Sequence, residues 1–156
     1  MLRAVTSDHG PGPVLITGGH DTDLDDRLTE ELIAFNSAAT GAHDRGAFSV
    51  KVLDEAGELV GGLTAATWGG LCGIELLWVR EGSREDGWGG RILGAAEAEA
   101  RRRGCDRVAV SSFTFQAPGF YRRHGYAETG RIPGIPGGHA DVHLLKSLTA
   151  PAATPH

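Results

Sequence analysis

Apolar residues in this chain recur at two different spacings, and the switches between them mark out its elements. Leu24, Leu28, Leu32 and Phe35 fall on one face at helical spacing, with Asp21 and Asp23 suited to the amino-terminal end and Gly41 to the other. Phe48, Val50 and Val52 alternate with small or polar neighbours, residues 54–57 form a turn, and Leu59–Trp68 resumes the extended pattern, which predicts a hairpin. Gly69 and Gly70 turn the chain into a third strand, Leu71–Val79. Then the period changes. Trp88, Ile92, Ala96 and Ala100 recur every fourth residue until Gly104 stops the helix, and Glu97 to Arg101 and Glu99 to Arg103 are acid-before-base pairs on its remaining surface. Val108 and Val110 mark a buried strand over residues 106–113, followed by a short helix over 117–124 and a strand from Tyr126 onward. Residues 133–138 read as a proline-glycine loop, and 142–145 close the sheet. Ahead of the first helix, residues 14–17 form a short strand broken by Gly18 and Gly19.

The chain has 156 residues, which suits one domain with a sizeable core. Residues 1–13 are expected to be a flexible leader, 14–148 the domain, and 149–156 a flexible tail. A formal net charge of -5 without a long basic block leaves no electrostatic footprint for nucleic acid. An anionic ligand would depend on local positive groups and backbone amides. Cys72 and Cys105 have neither metal-ligand spacing nor a disulfide framework, so both are expected to be buried small hydrophobes, and no metal is expected. With no membrane-length apolar run and no secretion signal, the setting predicted is cytoplasmic, away from membranes.

Chemistry concentrates where the third strand meets the long helix, in Arg84-Glu85-Asp86-Gly87-Trp88-Gly89-Gly90. Glycine lets the backbone approach a ligand closely, and the first turn of a helix leaves N–H groups without internal acceptors, so the stretch favours phosphate. It is not a P-loop, which needs Gly-Lys-Ser/Thr, nor the dinucleotide fingerprint, which needs glycine where Ile92 stands. Set between strand and helix, Arg84-x-x-Gly87-x-Gly89 resembles the Arg/Gln-x-x-Gly-x-Gly/Ala signature of the GNAT superfamily of acetyl-CoA-dependent N-acyltransferases. A second stretch, from Ala117 through Phe120-Tyr121 to Gly125-Tyr126, is similar to that family's later motif. The two, with the strand before them, cover residues 46–148.

The resemblance implies an α/β GNAT fold: a mixed, mostly antiparallel sheet, splayed after the central strand and flanked by helices. It implies acetyl-CoA as cosubstrate, its pyrophosphate on the amides of Glu85, Asp86, Gly87, Trp88, Gly89 and Gly90 with help from Arg84. Carboxylates near a pyrophosphate are unfavourable, so Glu85 and Asp86 are expected to weaken that hold. The pantetheine arm would pair with the backbone of Leu77, Trp78 and Val79, and Thr114 stands where many members carry an asparagine that contacts it.

By the same resemblance, Tyr121 is the general acid that protonates the departing thiolate, whereas Tyr126 is a core aromatic. Glu75 is the candidate base: a carboxylate inside an otherwise apolar strand needs a partner or a task. Its structural alternative is an ion pair with Arg80 or a neighbouring strand. His139 is a second candidate for base or substrate contact. Trp68, Phe113, Phe115 and Gln116 border the expected cleft, and Phe35 and Asn36 would close it from above. The acceptor expected is a primary amine of a small molecule, such as an aminoglycoside-like antibiotic, an amino acid or a polyamine. The rival reading is a non-catalytic acyl-CoA-binding or sensing module, against which the retention of Tyr121 and Glu75 argues. Many relatives dimerise, so a homodimer is expected by analogy.

Overall fold

A computed structural model describes residues 3–5 and 12–149, which fall in two compact units, residues 1–42 and 43–156. In the first unit, β1 (Arg3–Val5) pairs antiparallel with β2 (Leu15–Thr17), so the expected leader contains a strand; residues 1, 2 and 6–11 lie outside the described residues. Helix α1 (Thr22–Thr40) follows. Asp21 caps it by accepting from the Leu24 N–H at 2.9 Å, and Gly41 ends it in the left-handed conformation that glycine adopts without strain. Of the expected tail only Thr149 is described.

The second unit is a six-stranded sheet in the order β3-β4-β5-β6-β8-β7, formed by β3 (Gly46–Leu53), β4 (Leu59–Trp68), β5 (Leu71–Val79), β6 (Arg107–Phe113), β7 (Ala127–Ile135) and β8 (His139–Ser147). All neighbours are antiparallel except β5 and β6, which the helix α2 (Trp88–Arg102) connects as a parallel pair. The core lies between one face of the sheet (Leu63, Ala65, Cys72, Ile74, Val108, Val110, Val142, Leu144) and the α2 stripe of Ile92, Leu93, Ala96 and Ala100. Cys72 and Cys105 are buried free thiols, as expected, and burial pushes the Cys72 thiol up to about 11. No helix among the described residues is long and apolar enough to cross a membrane.

Three details differ from the pattern-based expectation. The proline-glycine loop is shorter, because β7 runs through Pro133 and Gly134 to Ile135 and pairs irregularly with β8 there. The sheet edge has no further strand to miss the proline's absent N–H, so proline is tolerated. Residues Glu81–Asp86 form a 3₁₀ turn rather than an open loop. Finally, Glu97 does not pair with Arg101 on the surface. It is buried, 7% exposed, and paired with Lys146 of β8.

Candidate active site

The β5–β6 ladder covers only Leu71, Cys72 and Gly73 opposite Arg107, Val108 and Ala109; beyond it the two strands part. This leaves one edge of β5 open towards its carboxy-terminal end. Arg80 N–H donates to Val60 O on β4 at 2.8 Å, so strand alternation turns the Leu77 and Val79 backbone groups the other way, into the notch. Val79 O already has a donor there, Arg84 Nε at 3.0 Å.

A bulge interrupts β5 just before this edge. Ile74 opposes Ala65 and Leu76 opposes Thr64, which leaves Glu75 as the extra residue. The bulge also changes which side chains face the core: Cys72 and Ile74 before it, Leu77 and Val79 after it, with Leu76 and Trp78 turned out and exposed. Glu75 is exposed as well, and its carboxylate has no partner among the described residues. The expected burial inside an apolar strand is therefore wrong, and so is the ion pair with Arg80, whose guanidinium binds Asp54 at 2.9 Å.

Past the 3₁₀ turn, Gly87 (φ 77) redirects the chain into α2. The first helical bond is Arg91 N–H to Gly87 O at 3.2 Å, so the N–H groups of Trp88, Gly89 and Gly90 have no intrahelical acceptor. Glu85 and Asp86 belong to the preceding turn instead. Helix α3 (Pro118–Arg123) and the residue after it form the opposing wall. A methyl group at Gly89 would stand 3.2 Å from Phe120 Cε2, and one at Gly90 2.9 Å from His124 Nε2. His124 Nδ1 lies 2.8 Å from Phe120 O, which can only accept, so Nδ1 carries the proton and Nε2 faces Gly90. The sequence reading placed Phe120 only within the family motif; its i,i+4 spacing from His124 on a short helix was the available signal for a wall.

Tyr121 is buried with its ring edge-on to Phe120 and Tyr126, and its hydroxyl has no hydrogen-bond partner among the described residues. Desolvation alone pushes its pKa up to about 12, so it stays protonated through the ordinary tyrosine range. Across the notch, Phe113 stacks on Phe115 at 5.3 Å, and Phe115 meets His139 edge-on at 5.0 Å. Thr114 Oγ1 lies 2.9 Å from His139 Nδ1 and accepts from Ala140 N–H at 3.2 Å. Two residues expected separately, one for pantetheine and one for substrate, thus bind each other.

Residues 17–126 match the acetyltransferase (GNAT) family. The chain belongs to the GNAT acetyltransferases. It is 43% identical over 95 residues to the blasticidin-S acetyltransferase of Streptomyces morookaense, an alignment covering 60% of this chain and 70% of the relative. It is 28% identical over 126 residues to an acetyltransferase of Agrobacterium fabrum, 81% of this chain and 92% of the relative. A crystal structure of an acetyltransferase from Bacillus cereus superposes with a TM-score of 0.75 at 30% identity, covering 85% of this chain and 96% of that one.

In this GNAT acetyltransferase the splay, the bare start of α2 and Tyr121 come from one unit, together with Phe113, Thr114, Gln116 and His139. Gln116 is largely committed, since its Oε1 accepts from Phe113 N–H at 2.9 Å. Trp68 does not border the notch: it pairs with Leu71 at the far end of β5, about 26 Å along the strand from Val79. Phe35 and Asn36 belong to α1, in the first unit. GNAT enzymes use acetyl-CoA, and the groups present suit it: an unpaired strand edge for an amide-bearing arm and free helical N–H groups for phosphate. Among the described residues no group of three or more His, Cys, Asp or Glu is arranged to hold a metal.

Proposed function

We propose that this enzyme moves an acetyl group from acetyl-CoA to a primary amine of a small antibiotic of the blasticidin S kind. The open edge of β5 beside the unsatisfied amides of Trp88, Gly89 and Gly90 carries the reading of the cofactor. The 43% identity to a blasticidin-S acetyltransferase supports the choice of acceptor. Acetyl-CoA supplies the acetyl group as a thioester. Leu77 and Val79 bind the pantetheine arm through their backbone, and the α2 amides with Arg84 bind the phosphates, Arg84 exchanging Val79 O for a phosphate oxygen. An N–H of this strand edge faces the thioester carbonyl and stabilises its oxygen.

Glu75, exposed and unpartnered, takes the proton of the incoming amine, directly or through water. Tyr121 holds its proton at the hydroxyl and gives it to the departing thiolate. Exposed Glu75 and the net charge of -5 favour a cationic acceptor.

Thiol release from acetyl-CoA in the presence of blasticidin S tests the whole reading. Release that depends on both compounds and falls about a hundredfold in Tyr121→Phe is expected. Release with kanamycin, lysine or spermidine but not blasticidin S would remove the acceptor assignment. Full turnover in Tyr121→Phe would remove the acid.

A further inference from the structure

Tyr121 has nothing among the described residues to hold its hydroxyl, so its aim depends on what holds its ring. Behind it stands Tyr126, whose ring meets that of Tyr121 edge-on at 5.6 Å and whose N–H donates to Tyr121 O at 3.0 Å. Tyr126 is itself fixed by its hydroxyl, which donates to Glu97 Oε1 at 3.0 Å. Glu97 is held in turn by Lys146, whose ammonium reaches Oε1 at 3.0 Å and Oε2 at 2.9 Å and lies 5.6 Å from the Tyr126 ring. Glu97 is 7% exposed and Tyr126 3%. Three elements, α2, the turn before β7 and β8, thus meet at one buried polar point.

Stability is a poor explanation for that point. Burying an ion pair forfeits about as much hydration as the pairing returns, and well-packed apolar residues of similar volume often serve as well or better. What an apolar pair cannot do is fix the rotation of Tyr126, because only a directional acceptor holds a phenol at one angle. We infer that Glu97, Lys146 and Tyr126 are positioning residues that set the orientation of the Tyr121 ring, and through it the direction in which the hydroxyl offers its proton. This rests on the proposed role of Tyr121 as the acid.

The test replaces the charged pair as a pair, Glu97→Leu with Lys146→Met, because removing Lys146 alone strands the buried Glu97 carboxylate and removing Glu97 alone leaves the partly buried ammonium without its partner. The chain has two tyrosines, so NMR of ring-labelled tyrosine reads each directly, and Tyr126→Phe assigns them. The double variant is expected to melt at or above the parent temperature. Its Tyr121 ring signals, expected to be separate on the two sides in the parent, should merge as the ring flips freely. With blasticidin S as acceptor, kcat should fall about tenfold while KM for acetyl-CoA is kept, and the loss should vanish in a Tyr121→Phe background. Unchanged Tyr121 signals in the folded double variant, or an equal loss in both backgrounds, would overturn the inference. If Tyr121→Phe alone keeps full turnover, the acid assignment fails, and the labelled rings still decide the positioning without any acceptor.

Discussion

Burial at Tyr121 and Tyr126 makes a direct prediction about ionisation. Desolvation raises Tyr121 from 10.0 to about 12, and Tyr126 goes higher because Glu97 adds a negative neighbour to its burial. Both are acids whose neutral form the fold prefers, so their contribution to stability is complete below the unfolded value of 10.0 and is lost as pH rises towards about 12. A spectrophotometric titration should therefore show no tyrosinate absorbance through 10.0 and a rise only as unfolding begins; tyrosinate at the ordinary value would contradict the buried setting. Glu75 is different, being exposed and unpartnered. Glu75→Gln should leave the melting temperature unchanged, lower acetyl transfer and remove the acidic limb of its pH profile; a profile identical to the parent's would exclude Glu75 as base. The short helix that carries Tyr121 was legible because the stretch from Ala117 to Tyr126 resembles the family's later motif. The setting of Glu75 was not, because the run from Leu76 to Val79 is apolar throughout and hides the change of face at the bulge.

The elements themselves were legible wherever periodicity and glycine punctuation agreed: both long helices and the β3–β4–β5 meander follow the expected bounds closely. Failures occurred where tertiary context overrode a local signal. Pro133 reads as a loop residue until its place on an edge strand is known, and Glu97 reads as a surface residue until Lys146 is brought to it from β8. Two glycines one turn apart on the same side of α2 can each be tested with one substitution. A methyl at Gly90 would stand 2.9 Å from His124 Nε2, on a ring already tied to Phe120 O, so Gly90→Ala must either turn that ring off its hydrogen bond or push α3 away from α2. It should lower stability by about 1–3 kcal/mol, the usual range for overpacking, and weaken acetyl-CoA binding. Gly94, four residues on, has nothing within 4 Å of an added methyl. Gly94→Ala should therefore stabilise by about 0.5–1 kcal/mol, the ordinary gain in a helix interior. Equal melting temperatures for the two variants would deny the close approach of α3.

At the scale of the whole molecule, charge works against the proposed cofactor. The chain carries -5 at neutral pH, acetyl-CoA is a polyanion, and Glu85 and Asp86 add carboxylates one turn ahead of the helix start. The long-range field repels such a ligand, so the proposed binding rests on short-range groups: the α2 amides with their aligned dipoles, Arg84, and the open backbone of β5. Such a site is selective for a ligand that fills the arm groove as well as the phosphate site. Acetyl-CoA at about a hundredfold excess over its dissociation constant should stabilise the protein by roughly 2.7 kcal/mol, or about 5 °C or more in melting temperature. NAD and ATP, which carry phosphates but no pantetheine arm, should give much smaller shifts. Neutralising the turn with Glu85→Gln and Asp86→Asn should enlarge the acetyl-CoA shift at the same concentration and leave the controls small. If the neutralised protein responded equally to all three ligands, phosphate attraction alone would account for binding, and the β5 edge would lose its part in choosing the cofactor. If neither protein responded to acetyl-CoA, the carboxylates would not be the obstacle, and the cofactor assignment itself would fall.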